Sequence, residues 1–178
     1  MPIDVILTPQ DLRHPPPGAV ARHAVMAVGD ASDAVAALDG KQFDLVIFGA
    51  REFGPPPQSL RDTSSARHTR AYHVPIKDGP LTEEETFLAA NGANYASQAF
   101  ASGENVLVTC MKGENRSPFL VALAYHMLTG EGGAAALRHV RERRMRLEGW
   151  ALENPMFVRT LLNLAPRRAR PSSAMIQP

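Results

Sequence analysis

The chain has 178 residues, of which 44% are hydrophobic and 21% charged, and its formal net charge is only +1. This length suits one domain with its own core, and the small net charge argues against a general nucleic-acid binder. The N-terminus has no basic-then-apolar leader, and no apolar stretch approaches the roughly 20 residues that span a membrane. A lone cysteine allows no internal disulfide and suits a reducing compartment. We therefore expect a cytoplasmic monomer with no membrane span and no specific nucleic-acid partner. We expect its domain to cover residues 1–165 and its tail, residues 166–178, to be disordered.

The first half of the chain alternates segments typical of strands and helices. We predict strands at residues 2–7, 23–28, 43–50 and 71–76. Asp30 and Ser32 are N-cap candidates for a short helix, which Gly40 closes. Loops or turns are predicted at residues 9–18, 51–70 and 77–80.

The second half begins with a capping-box pattern, Thr82 followed by Glu85, which predicts a helix running to about Ser102. An apolar strand at 105–110 leads through a polar loop into a helix whose apolar residues recur at helical spacing, which predicts one buried face. Two further helices are predicted at about residues 133–146 and 154–164. Alternating strands and helices indicate an α/β fold with a central sheet.

One segment carries a pattern suited to anion chemistry. Cys110 ends the apolar strand, and Arg116 and Ser117 begin the next helix, with Gly113 in the middle of the loop between them. Such a loop can turn its backbone N–H groups inward, and the helix N-terminus adds a positive partial charge. The arrangement suits a bound phosphate and a cysteine thiolate, since cysteine pKa values fall from about 8.5 to roughly 3.5–7.5 at such positions.

The predicted phosphate cradle consists of Met111, Lys112, Gly113, Glu114, Asn115 and Arg116. Arg116 supplies a planar fork that grips two phosphate oxygens. Lys112 favours a highly charged substrate and Glu114 opposes one, and we interpret the two charges as largely offsetting each other. The alternative for the whole segment is a buried strand cysteine beside an unrelated surface arginine.

These residues resemble the signature of the dual-specificity branch of the cysteine-dependent protein tyrosine phosphatases. The signature loop corresponds to TCMKGENRS at 109–117, followed by AYHM at 124–127. The family's general-acid segment corresponds to YHVPIKDGP at 72–80, in which Asp78 lies 32 residues before Cys110. The other segments that resemble the family are 43–56, 136–145 and 154–164, so the resemblance covers roughly residues 20–165. It implies a central mixed, mainly parallel sheet flanked by helices.

The resemblance also implies a mechanism without metal or cofactor. Cys110 attacks phosphorus to form a cysteinyl-phosphate, and Asp78 protonates the leaving oxygen and later activates water. Arg116 stabilises the transferring group, and Ser117 can donate a hydrogen bond to the sulfur. Without the resemblance, Asp78 would be interpreted as a turn residue before Gly79. The implied substrate is a phosphorylated protein or another phosphomonoester.

The chain departs from the family's pattern in two places. Thr109 stands where relatives carry a histidine, so we expect a less activated cysteine and a lower rate. The stretch at 146–155 is longer than the usual connection, and we predict that its Trp150 is part of the core rather than a pocket wall. We interpret the basic run at 138–146 as a solvated helix face rather than a site for an acidic partner. The histidines show no metal-ligand spacing, so we predict no structural metal.

Three alternative functions remain open at this point. Thr109 keeps open a catalytically weak phospho-binding module, that is, a pseudophosphatase. A thiol reductase or sulfurtransferase is disfavoured, because the chain lacks a resolving cysteine and a rhodanese-type loop has a shorter spacing. A phosphatase for phosphoinositides, phosphorylated glycans or RNA 5′ phosphates would use the same residues.

Overall fold

The computed structural model describes residues 3–40, 42–53, 69–147 and 150–167. In this part of the chain the strands are β1 (Asp4–Leu7), β2 (Met26–Gly29), β3 (Leu45–Phe48), β4 (Arg70–His73) and β5 (Val106–Thr109). They form one sheet in the order β1-β2-β5-β3-β4. β1 pairs antiparallel with β2, and the other neighbours are parallel. The predicted mixed, mainly parallel sheet is confirmed.

Helices lie between and beyond the strands. They are α1 (Pro17–Arg22), α2 (Ala31–Gly40), α3 (Glu83–Ala101), α4 (Arg116–Thr129), α5 (Gly133–Arg146) and α6 (Pro155–Leu162), with 3₁₀ turns at Pro9–Asp11 and Arg51–Phe53. None of these described helices combines the length and apolar character needed to cross a bilayer.

The main departures from the predicted elements are α1 and the two 3₁₀ turns, all of which begin in predicted loops. α1 starts at Pro17 within the Pro-rich stretch, because proline is tolerated in the first turn of a helix. Most of the predicted 51–70 loop, residues 54–68, lies outside the described residues, as does the predicted disordered tail from residue 168 onward. Arg167, inside the predicted tail, donates its N–H to the Gly130 carbonyl at 2.8 Å.

Both faces of the central strands are covered. β2, β3 and β5 are buried along their whole length, as expected of parallel strands between helical layers. On one face, Ala34 and Ala37 of α2 join a cluster with Val46 and Leu107. On the other face, residues from α3 to α6 join the larger core.

α4 is the most enclosed helix of the described chain. Every residue from Arg116 to His126 is buried. The prediction of a single buried face was therefore wrong, because the run from Phe119 to Ala124 is apolar on all sides and suits a fully enclosed helix. Gly130, at φ 72°, ends the helix in the left-handed conformation that glycine adopts without strain.

The register of the sheet brings the carboxyl ends of three parallel strands together. Thr109 at the end of β5 pairs with Gly29 on one side and with Phe48 on the other. The Cys110 N–H then donates to the Gly29 carbonyl at 3.3 Å, and Gly49 N–H donates to Thr109 at 2.7 Å. Ligands bind at this edge in open α/β sheets, so Cys110 emerges at the centre of the edge where a site is expected.

The basic run at 138–146 is exposed at Arg138, Arg141 and Arg146, in line with a solvated helix face, but that interpretation was wrong for Arg144. Arg144 is 1% exposed and forms an ion pair with Asp4, itself 3% exposed. Burial lowers the pKa of Arg144, but the paired carboxylate compensates the buried charge. Arg143 pairs with Asp11 on the 3₁₀ turn. These pairs fasten α5 to the N-terminal segment.

We predict that Arg144→Met lowers the free energy of unfolding by about 3–5 kcal/mol, because it leaves Asp4 buried without its cation. Asp4→Leu combined with Arg144→Met should recover most of that loss, since no charge is then buried. Arg143→Met is the matched control, and its more exposed pair should contribute about 1 kcal/mol or less. Urea unfolding measures all four proteins. Equal losses for the two single arginine variants would contradict the account.

Candidate active site

The predicted strand, loop and helix around Cys110 are present. Cys110 follows β5 directly, and α4 begins at Arg116. Gly113 adopts φ +69°, and a Cβ there would lie 3.2 Å from the Gly29 carbonyl oxygen. Both its conformation and its close approach to β2 therefore require glycine. The sequence alone indicated the first requirement, and the contact with β2 is new.

The Cys110 thiol lies at the base of the loop and is 2% exposed. The Ser117 Oγ is 3.3 Å from its Sγ and 3.5 Å from the Gly29 carbonyl. A hydroxyl has one hydrogen, so Ser117 can donate to the sulfur or to the carbonyl at a given moment. Thr109, fully buried, donates its hydroxyl to the Ile47 carbonyl at 3.2 Å. The Thr109 hydroxyl therefore forms a hydrogen bond with the neighbouring strand β3.

Arg116 is buried at the start of α4, 4% exposed. Its Nη1 donates to the Glu52 carboxylate and, at 3.4 Å, to the Ile76 carbonyl. Its Nε is buried and has no hydrogen-bond partner among the residues that the structure describes. Buried polar groups nearly always have a hydrogen-bond partner. The Nε of Arg116 is therefore a donor that a bound acceptor would satisfy.

Glu52 is a site residue that the sequence reasoning missed. Burial raises the pKa of Glu52, but the hydrogen bond from Arg116 and the nearby arginine charges lower it by more. The net pKa of Glu52 therefore lies below its usual value. The Glu52 carboxylate therefore remains charged at neutral pH and fixes one edge of the guanidinium. Sequence spacing held no signal for this pair, because 64 positions separate the two residues.

Asp78 lies in the turn between β4 and α3, where it accepts two hydrogen bonds. Its Oδ1 accepts from Asn154 Nδ2 at 2.7 Å, and its Oδ2 accepts from Asn115 Nδ2 at 3.2 Å. The neighbouring Lys77 N–H donates to Glu85 Oε1 at 3.1 Å, which fastens this turn to the first turn of α3. The predicted capping box between Thr82 and Glu85 is present.

A cavity of about 320 Å³ brings these groups together within the described residues. Its walls are formed by Glu52, Asp78, Cys110, Met111, Lys112, Glu114, Asn115 and Arg116. Of the predicted site residues, Gly113 and Ser117 are not among those that line this cavity. A larger cavity of about 450 Å³ lies between α3, α4 and α6, and its lining does not include Cys110.

Trp150 corrects a prediction. It is 72% exposed, so it is not part of the core. It lines a surface cavity with Arg141, Met145, Ala151 and Glu153. Two arginine side chains of α5 hold the backbone around it by donating to carbonyl groups, so the segment is fixed through its main chain and not through the indole ring.

Solved phosphatase structures share this fold. Human DUSP28 is 21% identical, with a TM-score of 0.64 over 90% of each chain. Tk-PTP in its active form is 22% identical, with a TM-score of 0.58 over 78% of this chain and 90% of that chain. OH1 from the Orf virus, described as a tyrosine phosphatase, is 20% identical, with a TM-score of 0.55 over 77% and 80%. No family model and no curated protein matches the chain by sequence. The chain thus has a dual-specificity phosphatase-like fold.

We predict that Gly113→Ala weakens the binding of vanadate by at least about tenfold, equivalent to about 1.4 kcal/mol. The added methyl group must accommodate both a left-handed backbone and the Gly29 carbonyl. Gly79→Ala is the matched control, because a Cβ there would have no described residue within 4 Å. Isothermal titration calorimetry measures both variants. Unchanged vanadate affinity in Gly113→Ala would contradict a cradle formed by this loop.

Proposed function

We propose that the protein is a phosphomonoester hydrolase that works through a cysteinyl-phosphate at Cys110 and requires no metal. The observation that carries the proposal is the shared cavity of Cys110, Arg116 and Asp78. A thiol, a cation that binds phosphate oxygens and a carboxyl group are the three groups that phosphoryl transfer to sulfur needs.

In the first step the Cys110 thiolate attacks phosphorus, the P–S bond forms and the bond to the leaving oxygen breaks. The phosphate oxygens are held by the loop N–H groups and by Arg116. Its Nη1 donates to Glu52, and its Nε, which has no hydrogen-bond partner among the described residues, would donate to a phosphate oxygen. Protonated Asp78 gives its proton to the leaving oxygen.

In the second step water attacks phosphorus and the P–S bond breaks. The Asp78 carboxylate, left by the first step, takes the proton from the water. The sulfur leaves as a thiolate, and Ser117 lies 3.3 Å away to donate a hydrogen bond to it. Phosphate is released, and both the thiolate and the protonated acid are restored for the next turnover.

The substrate class that we propose is phosphorylated protein, on tyrosine and on serine or threonine. One structure of similar fold, OH1, is described as a tyrosine phosphatase with triple substrate specificity, which supports phosphotyrosine as one of the substrates. The identities of 20–22% support the fold more strongly than the substrate. Phosphoinositides and RNA 5′ phosphates are the alternatives that comparative kinetics must separate.

A phospho-binding module is the second candidate function. Thr109 favours this candidate, because its hydroxyl donates to the Ile47 carbonyl. A threonine also supplies no imidazole beside the cysteine. Asp78 favours the enzyme, since an acid in this cavity can supply the proton that the leaving oxygen needs.

The test is hydrolysis of p-nitrophenyl phosphate in EDTA by the wild type, Cys110→Ser and Asp78→Ala. We expect turnover that Cys110→Ser abolishes. We expect Asp78→Ala to lower kcat/KM by about 10²-fold or more on an alkyl phosphate, because general acid catalysis contributes about 10²–10⁴-fold. A wild type that binds vanadate without turnover would establish the binding module instead.

A further inference from the structure

Asp78 is held by side chains from two separate parts of the chain. Asn115 belongs to the phosphate loop itself, and Asn154 caps α6. Their amide nitrogens donate to different oxygens of the Asp78 carboxylate, at 3.2 Å and 2.7 Å. The three residues form a cluster that links the acid, the loop and α6, and we call it the asparagine clamp.

The orientation of both amides is fixed by their other hydrogen bonds. The Oδ1 of Asn115 accepts the N–H groups of Glu153 and Asn154, at 2.9 and 3.0 Å. The Oδ1 of Asn154 accepts the Met156 N–H at 2.9 Å, as the N-cap of α6. With each oxygen occupied by backbone donors, each Nδ2 must face Asp78. The network therefore assigns the amides as donors to the carboxylate.

The segment that carries Asn154 is anchored to the loop as well. The Leu152 N–H donates to the Glu114 carbonyl at 2.8 Å, and Arg141 Nη2 donates to the Leu152 carbonyl at 2.6 Å. Leu152 has φ +59°, a left-handed conformation that leucine rarely adopts. Strained backbone of this kind persists where the surroundings over-determine it, commonly at functional sites.

We propose that Asn115 and Asn154 are positioning residues that hold the carboxyl group of Asp78 for proton transfer in the cavity that it shares with Cys110. The inference rests on the proposed function and deepens it. Both donors are neutral and occupy two of the roughly four lone-pair sites of the carboxylate. Sites therefore remain on Asp78 for the proton that it gives to the leaving oxygen.

The clamp has a specific kinetic consequence. Displacing a catalytic group by about 1 Å can reduce a rate by about 10²-fold. That loss falls on substrates whose leaving oxygen needs the proton, such as alkyl phosphates. A p-nitrophenolate leaves readily without a proton. Loss of the clamp should therefore steepen the dependence of kcat/KM on the basicity of the leaving group.

The experiment compares Asn154→Ser with the wild type on p-nitrophenyl phosphate and on an alkyl phosphate. Serine retains an oxygen that caps α6 and loses the amide that reaches Asp78. We expect kcat/KM to fall about 10- to 100-fold on the alkyl phosphate and less than about threefold on p-nitrophenyl phosphate. Asn163→Ser, at the exposed far end of the same helix, is the matched control and should change neither.

The same substitution in an Asp78→Ala background separates positioning from folding. If Asn154 acts through Asp78, Asn154→Ser should not change the leaving-group dependence of the Asp78→Ala variant any further. The effects of the two substitutions on kcat/KM should then be strongly non-additive. An equal fall on both substrates, an undiminished effect in Asp78→Ala or no effect at all would overturn the proposal. A wild type without Cys110-dependent turnover would instead contradict the proposed function, and the clamp with it.

Discussion

A buried guanidinium at the first turn of α4 constrains the whole site. Arg116 is enclosed by protein, and a buried cation must be paired and hydrogen-bonded to be tolerated. Glu52 and the Ile76 carbonyl both accept from its Nη1. The Nε has no hydrogen-bond partner among the described residues, so under the proposed function a phosphate oxygen would supply the missing acceptor.

The elements that create this constraint were largely predictable from the sequence. The apolar strand before Cys110, the glycine of the loop and the start of α4 each follow local rules of burial, turn and capping. The capping box of Thr82 and Glu85 and the N-cap at Asp30 follow the same rules, whereas the mainly parallel sheet was implied by the family resemblance. Local chemistry sufficed here, because each signal lies within a few residues of the structure that it specifies.

The parts that sequence reasoning missed depend on distant residues. Glu52 comes to Arg116 from the segment after β3, and Asn154 comes to Asp78 from beyond α5. The arginines of α5 looked like a solvated face, but Arg144 is buried against Asp4 and Arg141 holds the Leu152 carbonyl. Trp150 was predicted to be part of the core, but its side chain is exposed and only its backbone carbonyl accepts a hydrogen bond, from Arg144. Spacing along the chain carries no signal for such contacts.

The most direct test of the central claim is to trap the covalent intermediate. Asp78→Ala, mixed with p-nitrophenyl phosphate and quenched in acid, should lack the base for the second step and accumulate phosphoenzyme. Mass spectrometry should then find one phosphoryl group on the peptide that contains Cys110, and none in Asp78→Ala combined with Cys110→Ser. A phosphoryl group on another residue, or continuing hydrolysis without any adduct, would contradict a cysteinyl-phosphate mechanism.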